Sequence, residues 1–200
     1  MENIVPTDVV LVLDVSRSMR TADPAGVSRE AMNLFTEKLT ENRDRVGVVT
    51  YAGKVEKSLD LHIINEENRE LIKSFINESE YASWTDHGIG LTEALDIITK
   101  DFDGDRQGII VFLTDGNMNV NPGDTSRTNE TAQEDVQRVI AIAQELNIPI
   151  HTIGLNYDGS LALKYIENIA EATRGLSFET SDVQDVPEII EAFFSNDLRC

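Results

Sequence analysis

The chain has 200 residues, of which 40% are hydrophobic, and 17 Lys and Arg against 36 Asp and Glu give a formal net charge of −19. This length and composition predict one globular domain over residues 1–200. So acidic a surface repels phosphate backbones and anionic lipid, which argues against nucleic acid as a partner and attracts cations. Cys200 is the only cysteine, which excludes an internal disulfide and a cysteine-based zinc site. No apolar run approaches the roughly 20 residues that span a bilayer, so we expect no direct membrane insertion by this segment.

Short apolar runs alternate with longer amphipathic runs, a pattern typical of strands that alternate with helices. In chain order, the predicted elements are strand 9–15, helix 24–42, strands 46–51 and 55–61, helices 67–77 and 88–100, strand 109–113, loop 117–128, helix 131–146, strand 150–155, helix 160–173, strand 176–179 and helix 183–195. Asp23 followed by Pro24 predicts an N-cap and the first helical position. The short turn at Gly53-Lys54 makes strand 55–61 an antiparallel edge strand.

This alternation predicts an α/β fold. We expect one doubly wound, mostly parallel, six-stranded sheet, with the third strand antiparallel at an edge and helices on both faces. In open sheets of this kind, ligands bind beyond the carboxyl ends of the strands, where the winding reverses. The chemistry of the protein is therefore expected just after the strands at 9–14 and 109–113.

Oxygen-bearing side chains follow both of these strands. Asp14, Ser16 and Ser18 alternate with other residues after the first strand, and Asp115 follows the fourth. Thr85 lies in the loop that opens onto helix 88–100. Because oxygen-only donor sets favour hard cations, the sequence predicts Mg²⁺, Mn²⁺ or Ca²⁺ rather than Zn²⁺ or copper.

The spacing of these residues resembles the metal-ion-dependent adhesion site of the von Willebrand factor A domain family, which includes the integrin inserted domains. The resemblance extends over the full length of the chain, and its three motifs occur in family order: Asp14-x-Ser16-x-Ser18, Thr85 with the small Gly90 five residues later, and Thr114-Asp115-Gly116. It implies a Rossmann-like fold and a divalent cation that binds a Glu or Asp of a partner protein. The metal ligands that it implies are three hydroxyls and two carboxylates that bind directly or through water: Ser16, Ser18, Thr85, Asp14 and Asp115.

The function that the resemblance implies is a non-enzymatic, divalent-cation-dependent protein-binding module for adhesion or assembly. The alternative is a magnesium-dependent hydrolase or phosphatase that uses the same ion. Phosphatases of the haloacid dehalogenase type have a similar topology, but they need a second aspartate where Ser16 stands. A third possibility is an assembly role in which another part of a larger protein supplies the carboxylate. The motif looks like that of bacterial members, which favours an extracytoplasmic location within a larger secreted or membrane-anchored protein.

Several residues around the motifs have two possible roles. We expect Arg17 to face solvent and Met19 to pack in the core. His87 is interpreted as a surface loop histidine, with a place at the rim of the site as the alternative. Trp84 is expected to pack under its loop, with a partner contact as the alternative. The loop 117–128 either shapes the choice of partner or is an ordinary solvated loop.

The last predicted helix, 183–195, carries a hypothesis about switching. In integrin inserted domains, movement of the last helix is coupled to rearrangement at the metal. The resemblance implies the same place for this helix, whose final residues Ala192-Phe193-Phe194 should pack on the sheet.

Overall fold

A computed structural model describes residues 5–100, 102, 104–156 and 163–196 of the chain. Its strands are β1 (Thr7–Asp14), β2 (Arg45–Tyr51), β3 (Val55–Ile63), β4 (Gln107–Thr114), β5 (Ile150–Leu155) and β6 (Ser177–Thr180). Its helices are α1 (Met19–Ala22), α2 (Val27–Lys38), α3 (Glu66–Asn77), α4 (His87–Thr99), α5 (Asn129–Glu145), α6 (Leu163–Ala172) and α7 (Val186–Asn196), with a 3-10 turn over Val183–Asp185.

The six strands form one sheet in the order β3-β2-β1-β4-β5-β6. All neighbouring strands are parallel except β2 and β3, which pair antiparallel, so β3 is an antiparallel edge strand. The predicted fold class is confirmed. The central strand β1 has its carboxyl end beside that of β4, which is the edge where the sequence places the oxygen donors.

The core consists of two apolar layers, one on each face of the sheet, and β1 contributes to both. Val9, Leu11 and Leu13 pack in the layer that contains residues of α2, α3 and α7. Val10 and Val12 point the other way, into the layer with residues of α4, α5 and α6. Because successive side chains of a strand alternate between faces, a strand covered on both sides is apolar along its middle, as Val9 to Leu13 are. This burial fixes the strand from which the candidate site projects.

The first long helix begins later than the sequence predicts. Asp23 and Pro24 were expected to start it, but α2 begins at Val27 after Gly26, which has a left-handed φ of 71°. The buried Asp23 carboxylate nevertheless accepts the backbone N–H groups of Val27 and Ser28, both at 2.8 Å. Asp23 therefore satisfies the free amides of the first turn from a short loop instead of from the N-cap position.

The last helix packs on the sheet as expected. Phe193 is buried, and its ring centroid lies 4.8 Å from that of His151 on β5 and 5.2 Å from that of Phe178 on β6. The side chain of Phe194, the predicted helical residues 160–162 and Cys200 lie outside the described residues. Within the described part of the chain, no helix has the length and apolar character that crossing a membrane requires.

Candidate metal centre

Hydroxyl and carboxylate oxygens from two distant parts of the chain meet at the carboxyl ends of β1 and β4. The Ser16 and Ser18 Oγ atoms are 2.9 Å apart, and the Ser18 hydroxyl donates to Asp115 Oδ1 at 3.0 Å. Neighbouring oxygens of a Mg²⁺ octahedron are separated by about 2.9 Å, since the metal–oxygen distance is about 2.0–2.1 Å. Both separations are ordinary hydrogen-bond lengths, and they also bring the three side chains close enough together to bind one hard cation.

Asp14 forms the inner wall of this group. Its Oδ1 accepts the Ser16 backbone N–H at 2.7 Å, and its Oδ2 accepts the Thr114 hydroxyl at 2.6 Å. Burial raises the pKa of Asp14, although the hydrogen bonds from Thr114 and Ser16 act in the opposite direction. A buried carboxylate that is disfavoured in its charged form gains from a nearby cation.

Charge also fits a divalent ion. No group of three or more His, Cys, Asp and Glu side chains suited to a metal occurs among the described residues. The predicted set combines two carboxylates, Asp14 and Asp115, with neutral hydroxyls, so its formal charge balances that of one divalent cation. Oxygen donors of this kind are the ligands that Mg²⁺ prefers.

Thr85 is tied to both of the other loops through the backbone of its own loop. Thr85 exchanges two backbone hydrogen bonds with Asn119, of 2.9 and 2.8 Å, and it is buried. Three residues earlier, the Ala82 N–H donates to the Val15 carbonyl at 2.9 Å, next to Ser16. The Thr85 loop is therefore held between the loop after β1 and the loop after β4, and the role of the Thr85 hydroxyl as a third ligand stays a prediction.

A buried aromatic cluster lies behind Thr114. His87 was interpreted as a surface loop histidine, and this is wrong, because it is the first residue of α4 and is fully buried. Its Nε2 is 3.4 Å from Thr114 Oγ1, and its ring centroid lies 5.3 Å from Phe112 and 6.0 Å from Tyr51. Burial lowers the pKa of His87 to about 4, so the ring is neutral near pH 7.

The small residue of the second motif has a packing role. A Cβ added at Gly90 would lie 2.7 Å from the Tyr51 ring, so only glycine allows α4 to approach β2 so closely. That approach brings the beginning of α4, and with it the Thr85 loop, against the sheet. Sequence reasoning found Gly90 through the motif and did not identify Tyr51, which is buried at the carboxyl end of β2.

An ion-pair cluster that the sequence analysis missed holds the loop 117–128. Arg127 donates to both carboxylate oxygens of the fully buried Asp86, at 2.6 and 2.9 Å, and also to Asp135. Asp86 in turn caps α4, since its Oδ1 accepts the Ile89 N–H at 3.0 Å. This clamp ties the loop to the helix that carries the second motif. The signal in the sequence was a carboxylate directly before a helix, the usual place of an N-cap.

The remaining neighbours behave mostly as expected. Arg17 is exposed and Met19 is buried. Trp84 packs its Cβ over Gly53, yet 37% of its surface is exposed, so the expectation that it is buried under its loop is wrong. Its φ of 70° is in the left-handed region, which is rare for a bulky side chain and costs of order 1–3 kcal/mol.

Comparison with known proteins gives one consistent result. A model of the von Willebrand factor type A domain matches residues 8–192. Calcium-activated chloride channel regulator 2 of Homo sapiens is 28% identical over 188 residues, which cover 92% of this chain and 18% of that protein. The chain thus spans less than a fifth of the length of this curated relative.

Solved structures of low sequence identity share the fold. A von Willebrand factor type A protein from Catenulispora acidiphila is 18% identical with a TM-score of 0.79, over 97% of this chain and 43% of that one. Proximal thread matrix protein 1 of the mussel byssus, solved with a zinc-occupied MIDAS motif, is 18% identical with a TM-score of 0.76, over 98% and 48% of the respective chains.

Proposed function

The chain belongs to the von Willebrand factor type A domain family, and we propose that it is a divalent-cation-dependent protein-binding module that engages a partner carboxylate through its metal centre. Domains of this family commonly act as adhesion or protein-interaction modules. The proposed ligands are those of the sequence analysis: Asp14, Ser16, Ser18, Thr85 and Asp115. Mg²⁺ is the proposed ion, with Mn²⁺ or Ca²⁺ as substitutes.

One observation carries this proposal. The hydrogen-bonded path from Ser16 through Ser18 to Asp115 joins side chains 97 residues apart along the chain, at the spacing of an octahedral edge. When bound, a divalent cation supplies an electrophilic position that a further carboxylate can occupy. The protein's own residues hold that position in place, because Asp14 is fixed by Thr114 and Ser16. The ion also reverses the sign of the local field, which an acidic partner otherwise finds repulsive on a chain of net charge −19.

Calorimetry tests the metal centre directly. Wild-type protein is expected to bind Mg²⁺ and Mn²⁺, and Asp14→Ala or Asp115→Ala is expected to abolish binding while the circular dichroism spectrum stays native. Zn²⁺ belongs in the same series, because the mussel protein was solved with zinc in its motif. Unchanged binding of Mg²⁺ and Mn²⁺ in both variants would remove the proposal.

Carboxylate binding has its own readout. Trp84 is the only tryptophan of the chain and is adjacent to Thr85. Its emission is expected to change when sodium acetate is added in the presence of Mg²⁺, and to stay constant with EDTA or with sodium chloride at the same ionic strength. A response to acetate that persists in EDTA would contradict binding through the metal.

The hydrolase alternative makes an opposite prediction. In a screen of phosphate esters with Mg²⁺, we expect wild type and Asp14→Ala to show the same background rate of hydrolysis. Turnover that is lost in this variant would replace the binding module with a metal-assisted hydrolase.

We also propose an extracytoplasmic location within a longer secreted or membrane-anchored protein. The chain covers only 18% of the human relative, and the structural neighbour of the mussel byssus is named as a thread matrix protein. Absence of the full-length protein from the extracellular and periplasmic fractions, together with its protection from protease added to intact cells or spheroplasts, would contradict this location.

A further inference from the structure

Arginine and tyrosine side chains collect at one side of the metal centre, on a protein that is otherwise strongly acidic. We call the group the basic–aromatic shelf, and its residues are Arg17, Arg20, Arg29, Tyr81 and Trp84. They come from the loop after β1, from α1, from the first turn of α2 and from the loop between α3 and α4. All four segments lie at the carboxyl-end edge of the sheet, where Ser16 and Ser18 also lie.

Two guanidinium groups from different helices converge on one ring. The Arg20 Cζ lies 5.6 Å, and the Arg29 Cζ 4.8 Å, from the centroid of Tyr81. The position of this ring is fixed by the next residue, because the Ala82 N–H donates to the Val15 carbonyl at 2.9 Å. The shelf is thus joined by backbone to the segment that carries the first metal-binding motif.

The charges of the shelf are not neutralised within the described part of the chain. There, neither Arg17, Arg20 nor Arg29 lies within 4 Å of a carboxylate oxygen. Several arginines elsewhere behave differently, since Arg45 and Arg127 each donate two hydrogen bonds to a single buried aspartate. Arg17 and Arg20 are thus exposed cations beside the candidate metal centre on a chain of net charge −19, whereas the half-buried Arg29 donates to the Asn77 carbonyl at the end of α3, at 3.2 Å.

The aromatic end of the shelf is exposed at an energetic cost. Trp84 shows 37% of its surface to solvent, next to Thr85, on a left-handed backbone. Strained residues persist where the surrounding structure requires them and concentrate at functional sites. Exposed tryptophan and arginine are also the residue types most enriched among the binding hot spots of protein interfaces.

Resting on the proposed function, we infer that the partner is an acidic segment with at least two carboxylates, one on the metal ion and the other on the guanidinium groups of the shelf. Arg17 and Arg20 are the exposed cations that pair with the second carboxylate, and Tyr81 and Trp84 support the segment between the two. Two exposed acidic side chains in the segment between α3 and α4, Glu78 and Glu80, oppose the same ligand. A neutral peptide with a single carboxylate would use the metal alone.

Selection from a library of random displayed peptides tests the inference on the intact protein. Peptides are bound to immobilised protein in Mg²⁺ and eluted with EDTA, so that only metal-dependent binders are recovered. Their affinities are then measured from Trp84 emission for wild type, for Arg17→Gln combined with Arg20→Gln, and for Lys38→Gln. Lys38 is a control at the far end of α2, where it pairs with the exposed Glu191.

The recovered peptides are expected to carry two or more acidic residues. Their affinity should fall about tenfold in the double variant, which is the effect of one charge-assisted hydrogen bond, and stay unchanged in Lys38→Gln. Glu80→Gln should strengthen binding, and added salt should weaken it in wild type more than in the double variant. Thermal unfolding of each variant in EDTA confirms that it remains folded.

Two results would overturn the inference in different ways. If the recovered peptides carry a single acidic residue and bind equally to wild type and the double variant, the shelf has no role in binding, and the proposed function is unaffected. If EDTA elutes no peptide, or if Asp14→Ala retains the same peptides, the proposed function fails together with the shelf.

Discussion

Replacing Asp115 by Asn isolates the electrostatic role of the metal centre. Asp14 and Asp115 are 1% and 3% exposed. Ser18 links their loops, because its Oγ donates to Asp115 and lies 2.9 Å from the Oγ of Ser16. Two carboxylates in one buried site repel each other unless a cation lies between them. Asn keeps the Oδ1 acceptor for Ser18 and removes one charge, so the variant is expected to unfold at the same temperature as wild type, or higher, in EDTA.

With Mg²⁺ present, wild type is expected to unfold at a higher temperature than Asp115→Asn. A ligand at a hundred times its Kd stabilises the folded state by about 2.7 kcal/mol. For a chain of this size, 1 kcal/mol shifts the unfolding temperature by about 2–4 °C. Saturating Mg²⁺ should therefore raise the Tm of wild type by roughly 5–11 °C and leave that of Asp115→Asn almost unchanged.

The assay is thermal unfolding followed by circular dichroism, with and without Mg²⁺. Asp60→Asn provides the matched control, because Asp60 lies on the exposed edge strand β3 and pairs with the exposed Lys100 at 2.8 Å. This control should gain as much from Mg²⁺ as wild type does. An equal Mg²⁺ shift in Asp115→Asn would refute Asp115 as a ligand, and a lower Tm of that variant in EDTA would refute the argument from charge repulsion.

Three further predictions concern the surroundings of the site. The folded-state pKa of His87 is depressed from 6.5 to about 4, so the contribution of neutral His87 to folding stability is fully present above pH 6.5 and is lost as the pH falls towards 4. Over this range, urea unfolding in EDTA should show wild type losing about 3 kcal/mol relative to His87→Gln. Parallel pH profiles of the two proteins would contradict this prediction. Arg127→Gln leaves a buried aspartate at the start of α4 without its ion pair and should cost about 3–5 kcal/mol in urea unfolding, whereas a loss below 1 kcal/mol would mean that water replaces the guanidinium. Gly90→Ala places a Cβ 2.7 Å from the Tyr51 ring and should lower the free energy of unfolding by about 1–3 kcal/mol in the same assay. Gly116→Ala is the control, because its Cβ would lie 3.9 Å from Ser18 Oγ, and it should cost less than half as much.

Local pattern predicted most of the fold and the composition of the site. The apolar run 9–15 was sufficient to predict the central strand, because a strand buried on two faces is apolar. The short turn at Gly53-Lys54 was sufficient to predict the antiparallel edge strand, because a short turn joins antiparallel neighbours. The adjacency of β1 and β4 followed from topology, and the structure adds a hydrogen bond from Thr114 to Asp14 that the sequence analysis did not predict. Whether the proposed side chains bind a metal stays a prediction.

The errors have different physical causes. His87 was placed on the surface because polar residues at loop ends are usually solvated, but the tertiary packing of Phe112 and Tyr51 encloses it. Asp23 was given the N-cap position because Pro24 follows it, and the left-handed turn at Gly26 was not considered. The burial of His87 depends on contacts between distant segments, which periodicity does not report, whereas the start of α2 depends on a local turn in which Asp23 accepts from Val27 and Ser28. The hypothesis that the last helix moves with the metal also stays a prediction, for which structures with and without a bound carboxylate are the measurement.

The backbone hydrogen bonds that join the three site loops have a mechanical consequence. A partner that pulls on the bound ion pulls on loops joined to one another through Val15, Ala82, Thr85 and Asn119. Tension is therefore shared between them and passes into β1, which is flanked by parallel strands on both sides. Pulling β1 out along its own direction would break its hydrogen bonds with β2 and β4 at the same time, instead of one after another. If the proposed ion and partner are bound there, we expect the contact with the partner to break before β1 is extracted from the sheet.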